Sequence, residues 1–282
     1  MADPDLHDLA ATALAAAREA GAAVMRVYRD PAAGEPAAKA DGSPLTQADL
    51  VSHRMLVDGL AAATPRLPVL SEESAGVSYE ERRAWPRYWL VDPLDGTKEF
   101  LARNGEFTVN VALVDRTRGI GRAVLGIVHV PVTGHTYVGG HGMGAWSYPA
   151  EGSPRRIETC AADGDRVRVV ASRSHGNTAT DAFIAGLEAL VGRVERTTSG
   201  SSLKLCRVAE GTAHYYPRAA PTMEWDTAAA QAVVEAAGGH VWRYGTREPL
   251  EYGKSDLLNP PFLVVYAGDA PLPDSYYDQE PA

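Results

Sequence analysis

The chain has 282 residues, 45% of them hydrophobic, and 36 acidic against 27 basic side chains give it a net charge of −9. This length allows one large domain or two coupled ones with a substantial buried core. Its negative field repels a nucleic-acid backbone and offers no polybasic patch to a membrane, so we expect neither as a partner. A small anionic ligand can bind to this negatively charged chain only at a site where metals and basic groups make the local charge positive.

The cysteines and the N-terminal segment predict a cytoplasmic protein. Cys160 and Cys206 lie far apart in a chain without a secretory signal, which indicates reduced thiols, and we expect both to be buried filler. The alanine-rich stretch from Ala10 to Val27 contains Arg18 and Glu19, so it predicts an amphipathic helix rather than a targeting segment. No apolar run approaches the length of a membrane span.

The first half predicts two helices followed by strands. In chain order we expect a helix from about Asp5 to Tyr28, a mobile loop from Ala32 to Pro44, a helix from about Thr46 to Ala63, and strands at Leu67–Leu70 and Tyr88–Val91. The second helix should bury apolar side chains, which are Leu50, Met55, Leu56, Val57 and Leu60. Strands at Phe107–Asp115, Gly121–Val130 and Thr136–Val138 predict an antiparallel meander. The glycines from 139 to 144 indicate a hairpin turn.

The second half alternates strands and helices, which favours an α/β layered domain. We expect strands at Val167–Ala171, Val194–Thr197, Ala213–Tyr216, His240–Tyr244 and Phe262–Tyr266, and helices near Thr178–Val191, Ser202–Glu210 and Trp225–Ala237. The run from Tyr148 to Arg156 is the best boundary, giving domains 1–150 and 151–282. The tail from Pro271 should be frayed.

The strand Tyr88–Val91 ends at two carboxylates, Asp92 and Asp95. Carboxylates held this close repel one another unless one binds a proton or a cation lies between them. Gly96 and Thr97 follow, and a short helix begins after them with free amides that suit an anion. Carboxylates for a cation beside amides for an anion predict a metal and phosphate site.

The same stretch also has a purely structural interpretation. Asp-Gly is a common turn dipeptide, Asp95 can cap the helix that follows it, and a proline often marks the end of a strand. Because short motifs match by chance, the choice between the two interpretations depends on distant carboxylates.

Four further acids stand at the ends of predicted elements. Glu72 and Glu73 follow the strand at Leu67–Leu70, so two strand ends can bring carboxylates to one edge of a sheet; a solvated turn is the alternative. Asp49 lies in the first turn of the second helix, where an acid also complements the helix dipole. Asp226 stands at a helix start, where an acid is often only a cap.

This set of candidate ligands offers oxygen atoms. The eight histidines are scattered without a helical metal pair, and no thiol cluster exists. Hard cations such as Mg²⁺ prefer carboxylate and carbonyl oxygens. Phosphate ester hydrolysis uses such a set best, because two metals about 3.5–4 Å apart activate a water and neutralise the leaving oxygen together.

Three motifs, taken together, resemble the inositol monophosphatase superfamily, the lithium-sensitive magnesium phosphatases. They are Glu72-Glu73, Asp92-Pro-Leu-Asp-Gly-Thr97 and Trp225-Asp226, in the family's order and approximate spacing. The resemblance extends along nearly the whole chain. It implies a mixed α/β fold, a layered αβαβα sandwich of the inositol monophosphatase and fructose-1,6-bisphosphatase type.

Within that family the chain looks most like the 3′(2′),5′-bisphosphate nucleotidases. The segments that carry this likeness are Ser71-Glu-Glu-Ser, Tyr88-Trp-Leu-Val-Asp-Pro-Leu-Asp-Gly-Thr-Lys-Glu-Phe, Arg103-Asn-Gly-Glu-Phe-Thr-Val-Asn, Ser172-Arg-Ser-His, Gly200-Ser-Ser-Leu-Lys and Tyr216-Pro-Arg. The family usually has a glycine where this chain has Ala230, which a helix interior should tolerate. The roles of Arg173 and His175 stay open.

The resemblance implies two Mg²⁺ ions, with a third, looser one near Glu72. Glu72, Asp92 and the backbone carbonyl of Leu94 would hold the first ion, and Asp92, Asp95 and Asp226 the second.

The same likeness assigns the groups that act on water and phosphate. Asp49 and Thr97 match the pair that, with Glu72, orients or deprotonates the attacking water, while Gly96 and Thr97 would contact the scissile phosphate. The loop that carries Lys39 and Asp41, on which Ser43 is also expected to be exposed, resembles the family's mobile lobe over the active site.

The substrate side also follows from the likeness. Gly200, Ser201, Ser202 and Lys204 match the segment near the ribose and the uncleaved phosphate. Arg218 lies near the position where inositol phosphatases carry an acid for a sugar hydroxyl, and a cation there suits a second phosphate better. The structural alternatives are a solvated helix face for Lys204 and a strand end for Arg218.

The sequence therefore predicts a magnesium-dependent phosphatase that converts adenosine 3′,5′-bisphosphate to AMP and phosphate. The sulfated analogue of that nucleotide is a further expected substrate, with a place in sulfur assimilation or nucleotide recycling. Inositol monophosphatase or broader sugar phosphatase activity is the nearest alternative. A catalytically silent protein that binds nucleotides or buffers metals is the alternative from another class.

Overall fold

The computed structural model describes residues 5–30, 37–38, 44–74, 76–162, 166–172 and 178–277. The α-helices in these ranges are α1 Leu6–Arg29, α2 Gln47–Ala63, α3 Tyr79–Arg82, α4 Thr97–Leu101, α5 Thr178–Val191, α6 Leu203–Ala209 and α7 Glu224–Ala236. Short 3₁₀ helices lie at Glu72–Ser74 and Asp274–Tyr276.

The strands belong to two large sheets and two small ribbons. They are β1 Ala37–Ala38, β2 Pro44–Leu45, β3 Val69–Ser71, β4 Arg87–Asp95, β5 Thr108–Asp115, β6 Arg122–Val130, β7 His135–Gly140, β8 Gly144–Tyr148, β9 Arg155–Ile157, β10 Val167–Ser172, β11 Val194–Ser199, β12 Tyr215–Arg218, β13 Thr222–Met223, β14 His240–Arg243, β15 Leu258–Asn259 and β16 Phe262–Val265.

The first sheet has the order β3-β4-β5-β6-β7-β8-β9. Only its first pair, β3 and β4, is parallel, and the other neighbours form the predicted antiparallel meander. The second sheet has the order β11-β10-β12-β16-β14, with β10 parallel to both its neighbours and β16 antiparallel to both of its own.

Five layers result, and they confirm the predicted αβαβα sandwich. Helices α1 and α2 cover one face of the first sheet, and α7 with α6 fills the space between the two sheets. Helix α5 covers the outer face of the second sheet, where Phe183, Ile184 and Leu187 are buried. Because each sheet is covered on both faces, most of its strands read as apolar runs.

Glycines on the first sheet let α7 lie against the strands. A Cβ on Gly126 of β6 would stand 1.9 Å from the carbonyl oxygen of Ala229, and one on Gly139 of β7 would stand 2.5 Å from Cα of Val233. Both distances are far below van der Waals contact, so only glycine fits. Ala230, at the position where the family usually has a glycine, is fully buried in the core around α7.

Some sequence expectations were wrong in detail. Leu50 was expected inside, but 38% of its surface is exposed. Cys160 is exposed, whereas Cys206 is buried as expected. The tail is not frayed as far as residue 277, since Tyr276 is fully buried and its ring lies 4.8 Å from that of Tyr244. Aromatic packing of a late tyrosine outweighs the polar composition around it.

The segment from Ala32 to Pro44 is described only in part. Ala37–Ala38 pairs antiparallel with Pro44–Leu45, so the described portion is a short ribbon instead of a loop. Lys39, Asp41 and Ser43 lie outside the described residues, as do Arg173 and His175. The division at residue 150 stays a prediction; β9, which follows it, pairs with β8 of the first sheet.

Candidate metal and phosphate site

The site is built around the end of β4. There the pairing with β5 matches Asp92 to Asn110 and Asp95 to Thr108, so β4 has one residue more than its partner. Side chains alternate along a regular strand, and residues three apart would point to opposite faces. The extra residue forms a bulge that brings both carboxylates to one side. The sequence predicted the two acids after the strand; in the structure they lie within it.

Asp226, from the first turn of α7, completes a cluster of three carboxylates. Asp92, Asp95 and Asp226 each offer an oxygen, and these oxygens all lie within 4.8 Å of one another. Met223 N–H donates to Asp226 Oδ2 at 2.8 Å, so Asp226 both caps its helix and faces the cluster. The cap of the structural interpretation is confirmed, and the position of Asp226 beside Asp92 and Asp95 is the one that the functional interpretation requires.

Burial and mutual repulsion make this cluster unfavourable without a cation. Burial, followed by the charges of Glu72, Asp95 and Asp226, raises the pKa of Asp92 well above its ordinary value. Burial and then the Asp95 charge raise the pKa of Asp226 to about 8. Oxygen atoms alone, close together and repelling one another, match the requirements of a hard cation such as Mg²⁺.

Glu72 and Glu73, the two acids after β3, lie near different groups. Because β3 and β4 are parallel neighbours, their ends lie at the same edge of the sheet, as the sequence predicted. Glu72 is half-buried outside the group of three, but its charge raises the pKa of Asp92. The Glu73 charge instead acts to raise the pKa of His53, against the dominant lowering by burial. Glu72 is thus the acid of the pair that faces the cluster.

Asp49 lies beside Thr97 and is only 1% exposed. Its Oδ2 accepts a hydrogen bond from Thr46 N at 2.7 Å, as part of the capping box of α2, and another from Thr46 Oγ1 at 2.6 Å. Its Oδ1 accepts from Thr97 Oγ1 at 3.4 Å, and the same hydroxyl lies 3.4 Å from the carbonyl oxygen of Leu94. Capping holds Asp49 rigidly while one oxygen faces Thr97.

Gly96 makes the turn from β4 into α4. It is the N-cap of that helix with φ of 92°, a left-handed conformation that favours glycine. A Cβ here would also stand 3.3 Å from the carbonyl oxygen of Glu106. The turn therefore places the first amides of α4 next to Asp95.

Ser202 forms hydrogen bonds with Asp95 and with the residues around it. Its amide donates to Asp95 Oδ2 at 2.6 Å, and its hydroxyl lies 2.9 Å from Asn110 Oδ1 and 2.8 Å from Thr108 Oγ1. Asn110 Nδ2 and Thr108 Oγ1 also reach Asp95 Oδ2, at 3.3 and 3.4 Å. This buried network fixes the carboxylate from both halves of the chain.

The roles of Asn110 and Thr108 were not foreseen from the sequence. The segment Glu106-Phe-Thr-Val-Asn110 contained a signal. Its polar residues Thr108 and Asn110 stand two apart in an otherwise apolar, buried strand, so their side chains lie on the same face of the sheet. Buried polar groups need hydrogen-bond partners, so this pattern indicates a polar contact on that face of the sheet.

Gly200 and Ser201 form a tight turn against α4 and the segment before β5. A Cβ on Gly200 would lie 2.6 Å from the carbonyl oxygen of Glu106 and 2.7 Å from Cγ of Glu99. Ser201 has φ of 44°, in the left-handed region. Close packing explains why a glycine stands at 200.

Lys204 is not on a solvated helix face, because it is only 6% exposed. Its Nζ donates to the carbonyl oxygen of Ser201 at 2.7 Å and lies 3.4 Å from that of Ser199. Burial raises the pKa of Asp95, and the Lys204 charge is the largest influence that lowers it. Lys204 therefore supplies counter-charge to Asp95.

Arg218, at the end of β12, donates from Nε to the carbonyl oxygen of Ala220 at 3.1 Å. Lys204 and Arg218 line one cavity of about 150 Å³ together with Asp95 and Asp226. Gly96, Ser201 and Ser202 are also in its wall. The structure thus brings both predicted cations to the same cavity as two of the predicted acids, Asp95 and Asp226.

An ion pair between a buried glutamate and a partly exposed lysine, missed from the sequence, supports the start of α7. The carboxylate of Glu224 is fully buried and accepts from Gly253 N at 2.7 Å, Lys254 N at 2.9 Å and Lys254 Nζ at 2.6 Å. Glu224 lies two residues before Asp226, so these contacts fix the helix turn that carries the third carboxylate.

Among the described residues, no helix is long and apolar enough to cross a membrane.

The curated relatives include proteins named 3′(2′),5′-bisphosphate nucleotidase CysQ. The one from Escherichia coli K12 is 46% identical over 249 residues, which cover 88% of this chain and 96% of that protein. The one from Haemophilus influenzae is 34% identical and is covered over 82% of its length.

Solved structures agree with the fold. CysQ from Bacteroides thetaiotaomicron, described as a bacterial member of the inositol monophosphatase family, matches with a TM-score of 0.82 and 44% identity, over 94% of this chain and 99% of that one. An inositol monophosphatase from Anabaena matches with a TM-score of 0.68 at 23% identity, over 94% and 92% of the two chains, which supports the fold alone. The family model described as the inositol monophosphatase family matches residues 5–267, and this chain belongs to that family.

Proposed function

We propose that this protein is a magnesium-dependent phosphatase that removes the 3′-phosphate from adenosine 3′,5′-bisphosphate, giving AMP and phosphate. The observation that carries the proposal is a cluster of three carboxylates, two of which, Asp95 and Asp226, share one cavity with Lys204 and Arg218. The names of the relatives support the same substrate class. We also propose that the protein works in the cytoplasm, in sulfur assimilation or nucleotide recycling, and accepts the sulfated analogue.

The metal ligands of this proposal are Glu72, Asp92, Asp95, Asp226 and the carbonyl of Leu94. They would hold two Mg²⁺ ions, and a third would lie near Glu72. The ions would supply charge for the phosphate oxygens and for the leaving oxygen, and would lower the pKa of a bound water.

The chain's own groups then handle the proton of the attacking water. Thr97 Oγ1 donates toward Asp49 Oδ1, so the hydroxyl oxygen can accept a proton from water while passing its own to the carboxylate. Thr46 keeps Asp49 in place through two hydrogen bonds. The amides of Gly96 and Thr97 would bind an oxygen of the scissile phosphate.

Specificity for a bisphosphate would come from the cationic wall of the cavity. Lys204 and Arg218 line it together with Asp95 and Asp226, so a 5′-phosphate would meet the cations while the 3′-phosphate meets the metals. An inositol monophosphate has no second phosphate for these cations. The proposed order of rates is therefore nucleotide bisphosphate above inositol 1-phosphate.

The deciding experiment measures phosphate release from both esters, with and without Mg²⁺. We expect release from the nucleotide to need Mg²⁺ and to fall to background in Asp95→Asn. Arg218→Ala should weaken kcat/KM for the nucleotide about 10- to 100-fold, the scale of one charge-assisted hydrogen bond, and change that for inositol 1-phosphate far less. Arg193→Ala, an exposed arginine outside this cavity, is the matched control.

Two results would contradict the proposal. Undiminished activity in Asp95→Asn would remove the mechanism. Faster hydrolysis of inositol 1-phosphate would favour the inositol phosphatase alternative. Tight nucleotide binding without turnover at saturating Mg²⁺ would favour the non-catalytic one.

A further inference from the structure

A second cavity, of about 850 Å³, lies at the other end of α7. Its walls include the last turns of α7, strand β14 and the turn between β7 and β8. No residue of its wall also lines the cavity at Asp95 and Asp226. Its volume falls within the range of about 300–1,000 Å³ that is typical of small-molecule sites.

The wall of this cavity is cationic in a chain whose net charge is −9. It contains Arg122, Arg156 and Arg247. The one carboxylate among its residues belongs to Glu235, whose Oε1 accepts a hydrogen bond from Gln231 Nε2 at 2.7 Å. Three guanidinium groups against one carboxylate leave a local surplus of positive charge.

These arginines keep donors available for a ligand. The guanidinium of Arg247 lies over the ring of Trp242, 5.5 Å from its centroid, which orients it without using its N–H groups. Arg156 pairs with Glu158 at 3.3 Å, but the two side chains are 65% and 67% exposed, so this pair contributes little. Within the described ranges the Arg122 side chain forms no hydrogen bond or ion pair, although its charge acts on Glu235 and lowers the pKa of that carboxyl, against the larger raising by burial.

The glycine-rich turn from Gly140 to Gly144 forms the rim beside Arg156. A Cβ on Gly144 would lie 3.6 Å from Nε of Arg156, and the glycine has φ of 71°. The amides of His141 and Met143 are used by the carbonyl oxygens of Val124 and Gly140. Recognition of an anion would thus come from the arginines, and the turn leaves room for it.

We propose that this cavity is a second ligand site, for a small molecule that carries two phosphate groups. Each guanidinium group can donate two N–H groups to two oxygens of one phosphate. Three arginines around a space of this size therefore suit a ligand with two phosphate groups. The site is separate from the proposed catalytic site and does not depend on the metals.

Calorimetric titration of the full chain with inorganic pyrophosphate tests this site, first with Mg²⁺ and then with the metal chelated. Without metal, the carboxylates at Asp92, Asp95 and Asp226 repel the anion, so the remaining binding reports on the second cavity. We expect this binding to weaken about 10- to 100-fold in the double variant Arg122→Gln/Arg247→Gln. Lys204→Gln, in the other cavity, should leave it unchanged.

A second variant protects the test against misfolding. Arg156→Glu changes an exposed side chain and places a negative charge in the wall, so it should abolish metal-independent binding while thermal unfolding and phosphatase rate stay as in the wild type. The proposal is overturned if pyrophosphate does not bind without metal, if both arginine variants bind it normally, or if Lys204→Gln removes the binding.

Discussion

The segments Asp92–Thr97 and Gly200–Lys204 both belong to the candidate site, but they serve it differently. The first supplies two carboxylates of the cluster and a threonine that contacts Asp49. The second directs its polar groups at the protein, since Ser202 binds Asp95 and Lys204 binds carbonyl oxygens of its own turn. A segment can thus serve a site by fixing the carboxylates of the cluster.

That difference has a physical cause. A carboxylate cluster without rigid partners would relax apart through repulsion, so each acid needs donors that fix its position. Asp95 obtains them from Ser202, Asn110 and Thr108, none of which is more than 2% exposed. The support comes from the other half of the chain, and for this reason the site exists only when both sheets are in place.

The largest effect should come from a change in the first segment. Thr97→Val keeps the shape of the side chain but removes the hydroxyl that contacts Asp49, and we expect kcat to fall about 10²- to 10⁴-fold. Thr97→Ser, which keeps the hydroxyl, should retain most of the rate. Steady-state kinetics on adenosine 3′,5′-bisphosphate provide the measurement, and a valine variant with normal kcat would assign Thr97 a structural role only.

Ser202→Ala tests the supporting role of the second segment. Loss of the hydroxyl leaves Asn110 and Thr108 without one partner, so the Mg²⁺ concentration for half-maximal activity should rise about 10- to 100-fold. The KM for the nucleotide at saturating Mg²⁺ should change little. Ser201 Oγ has no hydrogen-bond partner among the described residues, so Ser201→Ala is the control. A raised nucleotide KM in Ser202→Ala would show that the residue contacts substrate after all.

Gly200→Ala should act on stability, with the smallest effect of the three. The new methyl group would meet the Glu106 carbonyl and Glu99, and overpacking of this kind costs about 1–3 kcal/mol in free energy of unfolding. Gly59→Ala is the matched control, because nothing lies within 4 Å of that Cβ and the exposed helix position should gain about 0.5–1 kcal/mol. Urea unfolding measures both; equal shifts in the two variants would contradict the packing explanation.

Much of the fold was predictable because apolar runs and helix caps are local signals. The range of α5 agrees with its prediction, and Thr46 caps α2 where the sequence placed a helix start. The five layers came from the resemblance. The exposure of Leu50 could not be predicted in this way. Helical spacing shows which face of a helix is apolar, but it does not show how much of that face the neighbouring elements cover.

The candidate site was predictable where a motif is contiguous. Asp92, Asp95, Gly96 and Thr97 follow one another, and their meeting with Asp226 was expected from the family motifs. The bulge in β4 could not be foreseen, because the register depends on the pairing with β5. Likewise, nothing in the sequence around Glu224 indicates a partner at Lys254, thirty residues further along the chain.

The late position of helix α7 in the chain also affects how the protein folds during its synthesis. The first sheet is complete once the chain has reached Ile157, yet the apolar face that it turns toward the second sheet is covered mainly by the later segment Glu224–Ala236. A growing polypeptide on the ribosome must therefore carry that face uncovered until the helix has emerged, and an exposed apolar sheet is the kind of surface that chaperones bind. The helix that carries Asp226 is thus also the segment whose emergence covers the apolar face of the first sheet.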